Sequence, residues 1–276
     1  MKLRIWQVDA FASRVFAGNP AAVVPLKSWL SDNTMQAIAQ ENNLAETAFF
    51  VGEAGDYQLR WFTPTVEVPL CGHATLASAW VIFSELAAEL TTIRFATRSG
   101  VLVVEKSPDG CHRMSFPVGR TEPFDGARDF ASALGNVMGA PRPEELYLAP
   151  TGAGGTKGVI AIWHEGVVRD LQLSGALNPL LAKIGVDALL ASAKSNSSRY
   201  DFVSRFFAPA HGVPEDPVTG SMHATLAPFW AERLHKTELR AFQASARGGE
   251  LLCKIHAGRV ILSGPCALYL RGEIEI

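Results

Sequence analysis

Glu46, His73, Asp216 and Ser221 have types and positions suited to acid–base chemistry on a small substrate. Glu46 is a lone acid in Asn43-Leu44-Ala45-Glu46-Thr47-Ala48-Phe49-Phe50, between a predicted helix and an apolar strand. By itself it reads either as a solvated strand-end glutamate, the commoner fate of an acid, or as a general acid/base. His73 follows Gly72 at a predicted helix start. Partial positive charge there disfavours imidazolium, so the pattern predicts a neutral ring that either packs in place or hydrogen-bonds a substrate. Asp216 lies in Pro214-Glu215-Asp216-Pro217-Val218-Thr219-Gly220-Ser221, a stiff turn before a second apolar helix. It either complements the helix dipole or contacts a substrate amine or hydroxyl. Ser221 either caps that helix or joins the nearby N–H groups in binding a carboxylate.

Cys71 precedes Gly72, and a helix start can lower a thiol's pKa. The matching position before Gly220 is Thr219, so a two-thiol proton relay lacks its second sulfur and Cys71 reads as a packed or supporting residue. No metal is expected, because neither His73 nor His223 has a second ligand three or four residues away. Gly152-Ala153-Gly154-Gly155-Thr156-Lys157 lacks both the Walker spacing and the Gly-x-Gly-x-x-Gly pattern, and reads as a glycine-rich turn. No nicotinamide, flavin or pyridoxal signature is present.

The elements that must position these residues come in a repeated order. Arg60-Trp61-Phe62-Thr63-Pro64 is followed by a loop and Gly72-His73-Ala74-Thr75-Leu76-Ala77; Arg205-Phe206-Phe207-Ala208-Pro209 is followed by a loop and Gly220-Ser221-Met222-His223-Ala224-Thr225-Leu226-Ala227. In each half an aromatic strand runs into a glycine-marked helix start, where free N–H groups can meet an anion. Strands are predicted over 3–8, 21–25, 47–51, 57–62, 158–163, 200–207, 251–256, 259–263 and 267–276, with a hairpin joining 93–96 and 101–105. Helices are predicted over 32–42, capped by Ser31 or Asp32, and over 72–90, 130–138, 178–183, 186–193 and 220–235. The expected architecture is α+β: two similar lobes, 1–117 and 118–276, each a curved antiparallel sheet or open barrel around a central helix, with the last strand free to return to the first lobe.

The totals bound the function. The chain has 276 residues, a 48% apolar composition and a formal net charge of −2, so it carries no global basic field for nucleic acid. The apolar stretch 74–90 contains Glu85 and Glu89 and reads as a buried helix rather than a membrane span. Four scattered cysteines without a Cys-x-x-Cys pair argue against zinc and against a secreted disulfide framework, and a cytoplasmic setting fits best.

Several segments closely resemble the PhzF-like family, named for phenazine biosynthesis and built on the diaminopimelate epimerase fold. They are Asp9-Ala10-Phe11 with Ala17-Gly18-Asn19-Pro20-Ala21-Ala22-Val23; Asn43-Leu44-Ala45-Glu46-Thr47; Trp61-Phe62-Thr63-Pro64 with Cys71-Gly72-His73-Ala74-Thr75; Glu215-Asp216-Pro217-Val218-Thr219-Gly220-Ser221; and Arg247-Gly248-Gly249-Glu250. The resemblance implies an active site in a cleft between lobes, a homodimer, and a cofactor-independent isomerase that moves a proton at carbon on a small carboxylated molecule. It places the family's acid/base glutamate on Glu46, its site histidine on His73, and its site aspartate and serine on Asp216 and Ser221; the helix-start N–H groups at Gly72 and Gly220, with Thr219 beside the latter, are read as further substrate-binding groups. In related racemases two cysteines act as base and acid; Thr219 here puts that chemistry in question, and Pro69 stands where relatives often carry an acid. An amino-acid racemase using Cys71, and a scaffold that only binds a metabolite or protein, are the alternatives.

Overall fold

The computed structural model describes residues 1–124, 128–149 and 157–276; the glycine-rich turn at 152–156 lies outside them. The chain divides into two compact units, Met1–Ser115 with Leu262–Ile276, and Phe116–Ile261. The first unit contains β1 (Lys2–Ala10), β2 (Asn19–Pro25), α1 (Asp32–Asn42), β3 (Glu46–Glu53), β4 (Asp56–Phe62), β5 (Glu67–Val68), α2 (Gly72–Val81), β6 (Thr92–Thr97), β7 (Gly100–Lys106) and the start of β8 (His112–Pro117). The second contains β9 (Glu122–Pro123), α3 (Arg128–Val137), β10 (Glu145–Ala149), β11 (Gly158–Ile162), α4 (Glu165–Asp170), α5 (Leu177–Ala182), β12 (Ala188–Lys194), β13 (Phe202–Ala208), β14 (Val213–Asp216), α6 (Gly220–Leu234), β15 (Glu238–Gln243) and β16 (Gly249–His256). After β17 (Arg259–Gly264) the chain ends in β18 (Cys266–Glu275), which pairs antiparallel with β1.

The two units repeat one wiring. In the first, β1 is antiparallel to β2, β2 parallel to β3 across α1, β3 antiparallel to β4, and β4 parallel to β6 across α2. In the second, β10 is antiparallel to β11, β11 parallel to β12 across α4 and α5, β12 antiparallel to β13, and β13 parallel to β15 across α6. The mainly antiparallel sheets therefore gain parallel pairs wherever a helix carries the chain across. α2 and α6 are apolar nearly all round and buried, as central helices must be. Met35, Ile38 and Phe49 belong to the first unit's core; Leu134, Trp163, Leu181 and Phe207 belong to the second's.

Ser31 caps α1 by accepting the Thr34 N–H at 3.1 Å, and Asn43, in the left-handed conformation, ends the helix. The segment 186–193, predicted helical, is instead largely strand β12. Its continuous apolar run is buried on both faces between β11 and β13, and periodicity does not separate that pattern from a buried helix. The helix predicted over 72–90 is α-helical only to Val81. A π-helical turn, Ile82–Leu86, follows; it keeps Ile82 and Phe83 buried while Glu85 reaches Arg271 at 2.6 Å. β8, β10 and α4 are elements the sequence reading lacks.

An arginine on each aromatic strand holds the loop that leads to the central helix. Arg60 binds Glu67 in bidentate fashion at 2.8 and 2.7 Å. Arg205 binds Glu215 likewise at 2.7 and 2.8 Å. Ser99 Oγ then donates to the Pro69 carbonyl at 2.8 Å, and Ser245 Oγ to the Pro217 carbonyl at 2.8 Å. These pairs fix the true correspondence: Gly72 matches Gly220, His73 matches Ser221, and Thr75 matches His223. The shared His-Ala-Thr-Leu-Ala string is thus out of register by two residues. Thr75 Oγ1 donates to the Cys71 carbonyl at 2.6 Å, and His223 Nδ1 does the same to the Thr219 carbonyl at 2.8 Å.

Arg205 is 8% exposed, and Leu171 O also accepts from its guanidinium at 2.7 Å. Glu215→Gln is expected to destabilise the protein by about 3 kcal/mol, the low end for removing one partner of a buried pair, because carbonyls still hold the cation. Urea denaturation measures it; a wild-type midpoint would show the pair to be energetically idle.

Candidate active site

The parallel pairing of β2 and β3 sets Ala21 opposite Glu46, so Asn19 and Glu46 lie at the same end of adjacent strands. Gly18 makes the entry to β2 possible: its φ is +65°, and a Cβ there would lie 2.1 Å from the Ala10 carbonyl oxygen. Asn42 Nδ2 donates to Thr47 Oγ1 at 3.0 Å and pins the start of β3. α2 then brings its first turn to this strand end. His73 Nε2 stands 3.0 Å from Glu46 Oε2, with side-chain exposures of 6% and 15%. On the other side of the ring, His73 Nδ1 is 3.1 Å from Asn19 Nδ2 and 3.5 Å from Cys71 Sγ. Asn19 was matched in the sequence but not assigned to the site; its signal there is only its place after Gly18.

The contact between Glu46 and His73 is ionic in distance without hydrogen-bond geometry. Neither Glu46 Oε2 nor His73 Nε2, both buried, has a hydrogen-bond partner among the described residues. Such atoms are rare in folded proteins and keep bonding capacity for a ligand. Burial opposes charge on His73, but the Glu46 carboxylate beside it outweighs burial and holds its pKa well above the ordinary 6.5. The neutral imidazole expected at a helix start is therefore corrected by the carboxylate beside it. The lowered thiol pKa is corrected too: burial first, then the Glu46 charge, push Cys71 up to about 11. Ligand atoms of Glu46, Cys71 and His73 lie within 4.8 Å of one another, a cluster that the sequence spacing did not show. Glu46 and Cys71 meet opposite nitrogens of the one imidazole.

The second unit carries a different set at the equivalent helix start. Asp216 ends β14, which pairs with β13, rather than sitting in a free turn. Thr219 is the N-cap residue of α6 and donates its hydroxyl to Asp216 Oδ2. Ser221, placed in the first turn, is therefore not the cap, and its half-buried hydroxyl has no partner among the described residues. Gly72 and Gly220 begin α2 and α6, and neither helix start has a side-chain cap bond. His223 is structural. Burial lowers its pKa to about 4, so it is neutral; Nδ1–H donates to Thr219 O, and Nε2 faces Ser204 Oγ at 3.4 Å. Gln243, which sequence reasoning missed, accepts the Thr219 N–H at 2.8 Å and donates to the Asp216 carbonyl at 2.7 Å. Strand-end glutamines carry no local signal for such a role.

Because folding raises the His73 pKa, the charged ring contributes its full stability below the unfolded value of 6.5 and loses it as pH rises through the folded value. Glu46→Gln is expected to move the His73 titration, followed by NMR, to lower pH. An unmoved midpoint would show that Glu46 does not control the ring's charge.

Comparison with known proteins places the chain in a family. The family model described as phenazine biosynthesis-like protein (PhzC-PhzF) matches residues 8–272. An uncharacterized isomerase of Pseudomonas aeruginosa is 48% identical over 277 residues, covering 100% of both chains. A PhzF-family protein from Enterococcus faecalis has a crystal structure similar to this one, with a TM-score of 0.89 at 39% identity and 100% coverage of each chain. A hydroxyproline epimerase from Agrobacterium vitis, at TM-score 0.60 and 9% identity over 99% of this chain and 92% of its own, shares the fold alone. Among the described residues no helix is long and apolar enough to cross a membrane. The chain belongs to the phenazine biosynthesis-like PhzC-PhzF family.

Proposed function

We propose that this isomerase moves a proton at carbon on a small carboxylated metabolite, without a cofactor, and that Glu46 is its general acid/base. One observation carries the reading: a carboxylate and an imidazole are buried in contact at a helix start, yet the facing atoms are not hydrogen-bonded to each other or to anything else described. Glu46 removes a proton from one carbon and returns it to another, or to the opposite face. His73 supplies positive charge and a movable proton beside it, and Asp216 holds a polar substituent. The free N–H groups at each helix start, at Gly72 in the first unit and at Gly220 with Ser221 and Thr219 in the second, are suited to a carboxylate or to the negative charge that develops as a proton leaves. Cys71, held as a thiol, supports the ring of His73 rather than acting as a base.

Incubation in D₂O with small carboxylated compounds, including a dihydro-hydroxyanthranilate, diaminopimelate and proline, is expected to give loss or rearrangement of a substrate C–H signal in proton NMR. Glu46→Gln is expected to reduce that rate by about 10²–10⁴-fold while preserving the fold. Cys71→Ala is expected to cost much less. Full turnover in the glutamine variant would sink the assignment, and silence in the alanine variant would favour a thiol-based epimerase instead.

A further inference from the structure

We propose that Gln243 is a positioning residue that holds Asp216 and Thr219 in their working geometry; the inference rests on the substrate-contacting role given to Asp216 above. Gln243 is the last residue of β15 and is 0% exposed. Its amide orientation is dictated by partners that have only one role each. The Thr219 N–H can only donate, so Oε1 faces it at 2.8 Å; the Asp216 carbonyl can only accept, so Nε2 faces it at 2.7 Å. The same Nε2 lies 3.3 Å from Thr219 Oγ1. With its oxygen turned toward that donor, the Thr219 hydroxyl directs its proton onto Asp216 Oδ2. One buried amide thus sets the backbone on both sides of Pro217-Val218 and, through the threonine hydroxyl, the rotation of the carboxylate.

The first unit shows what this addition is for. The parallel registers of β4 with β6 and of β13 with β15 set Gln58 opposite Ala96 and Val203 opposite Phe242. Counted from the matched Arg60 and Arg205, Thr97 therefore takes the place of Gln243. Counted from Gly72 and Gly220, Val68 takes the place of Asp216. The serine-to-proline-carbonyl bond is common to both units and suffices to close the loop. The glutamine occurs in the unit that has a carboxylate to aim. A loop brace alone would be needed equally in both.

The test uses the whole protein with ¹³C-labelled aspartate and needs no substrate. In Gln243→Leu the Thr219 amide is expected to exchange with solvent about tenfold faster. The Asp216 carboxyl is expected to titrate at higher pH, because hydrogen bonding to its charged form is loosened. Gln243→Glu keeps an acceptor for the Thr219 N–H but turns a second oxygen toward the Asp216 carbonyl. Its Thr219 protection is expected to return only at low pH, where the introduced carboxyl is protonated and donates again. This second variant keeps the test decisive if the leucine variant does not fold. A merely structural glutamine would lower the melting temperature and leave the Asp216 titration where it is in the wild type. That result in both variants, or wild-type Thr219 protection in both, would overturn the proposal. Unchanged turnover in Asp216→Asn would instead overturn the role of Asp216 while leaving the Gln243 geometry standing.

Discussion

The bidentate arginine–glutamate pair is the constraint on which each unit depends. A central helix that is apolar all round has no preferred face to orient it, so its start must be fixed by the loop before it. Arg60 with Glu67, and Arg205 with Glu215, tie that loop to the aromatic strand through two parallel hydrogen bonds each. The bidentate geometry fixes direction as well as distance, which a lysine cannot do. With the loop fixed, the helix N–H groups project from a defined place without a side chain capping them.

On this common frame the two units have taken different chemistry. The first has His73 where the second has Ser221, and the register of its parallel strands puts Glu46 where the second has Ala188. The second has Asp216 where the first has Val68, with Gln243 and Thr219 around it. A group that gains and loses protons and groups that hold polar parts of a molecule need opposite surroundings. The former sits in a buried contact with unspent bonding capacity; Asp216 and Thr219 sit in a hydrogen-bonded network with Gln243. Duplication followed by divergence lets each be tuned without disturbing the other's frame.

Glu46 and His73 also show how a local rule is overruled by a neighbour. The helix start favours a neutral imidazole, by an amount that is modest at a helix end. A carboxylate at 3.0 Å in a buried setting acts far more strongly, and the ring's preference reverses. Cys71 is overruled in the opposite sense. Its helix start would favour thiolate, but burial and the same carboxylate prevail.

Much of the fold was legible in the chain because its signals are local. Ser31 before 32–42, the alternating aromatic strands, the glycine-marked helix starts and the family segments around Glu46, Gly72 and Gly220 could all be read directly. The failures came where a pattern is compatible with two structures. The apolar run of β12 is strand because strands flank it on both sides, and after Val81 the helix passes into a π turn from which Glu85 pairs with Arg271. The repeated His-Ala-Thr-Leu-Ala string left open whether its histidines are equivalent, and the arginine clamps set them two residues out of register. The sequence by itself determined which residue types stand at each helix start and strand end. Only the tertiary structure decided that Glu46 meets one nitrogen of His73 while Asn19 and Cys71 meet the other, and that Gln243 braces Asp216. Those contacts join elements far apart in the chain, and burial and partner charge, which set protonation, exist only once the elements have packed.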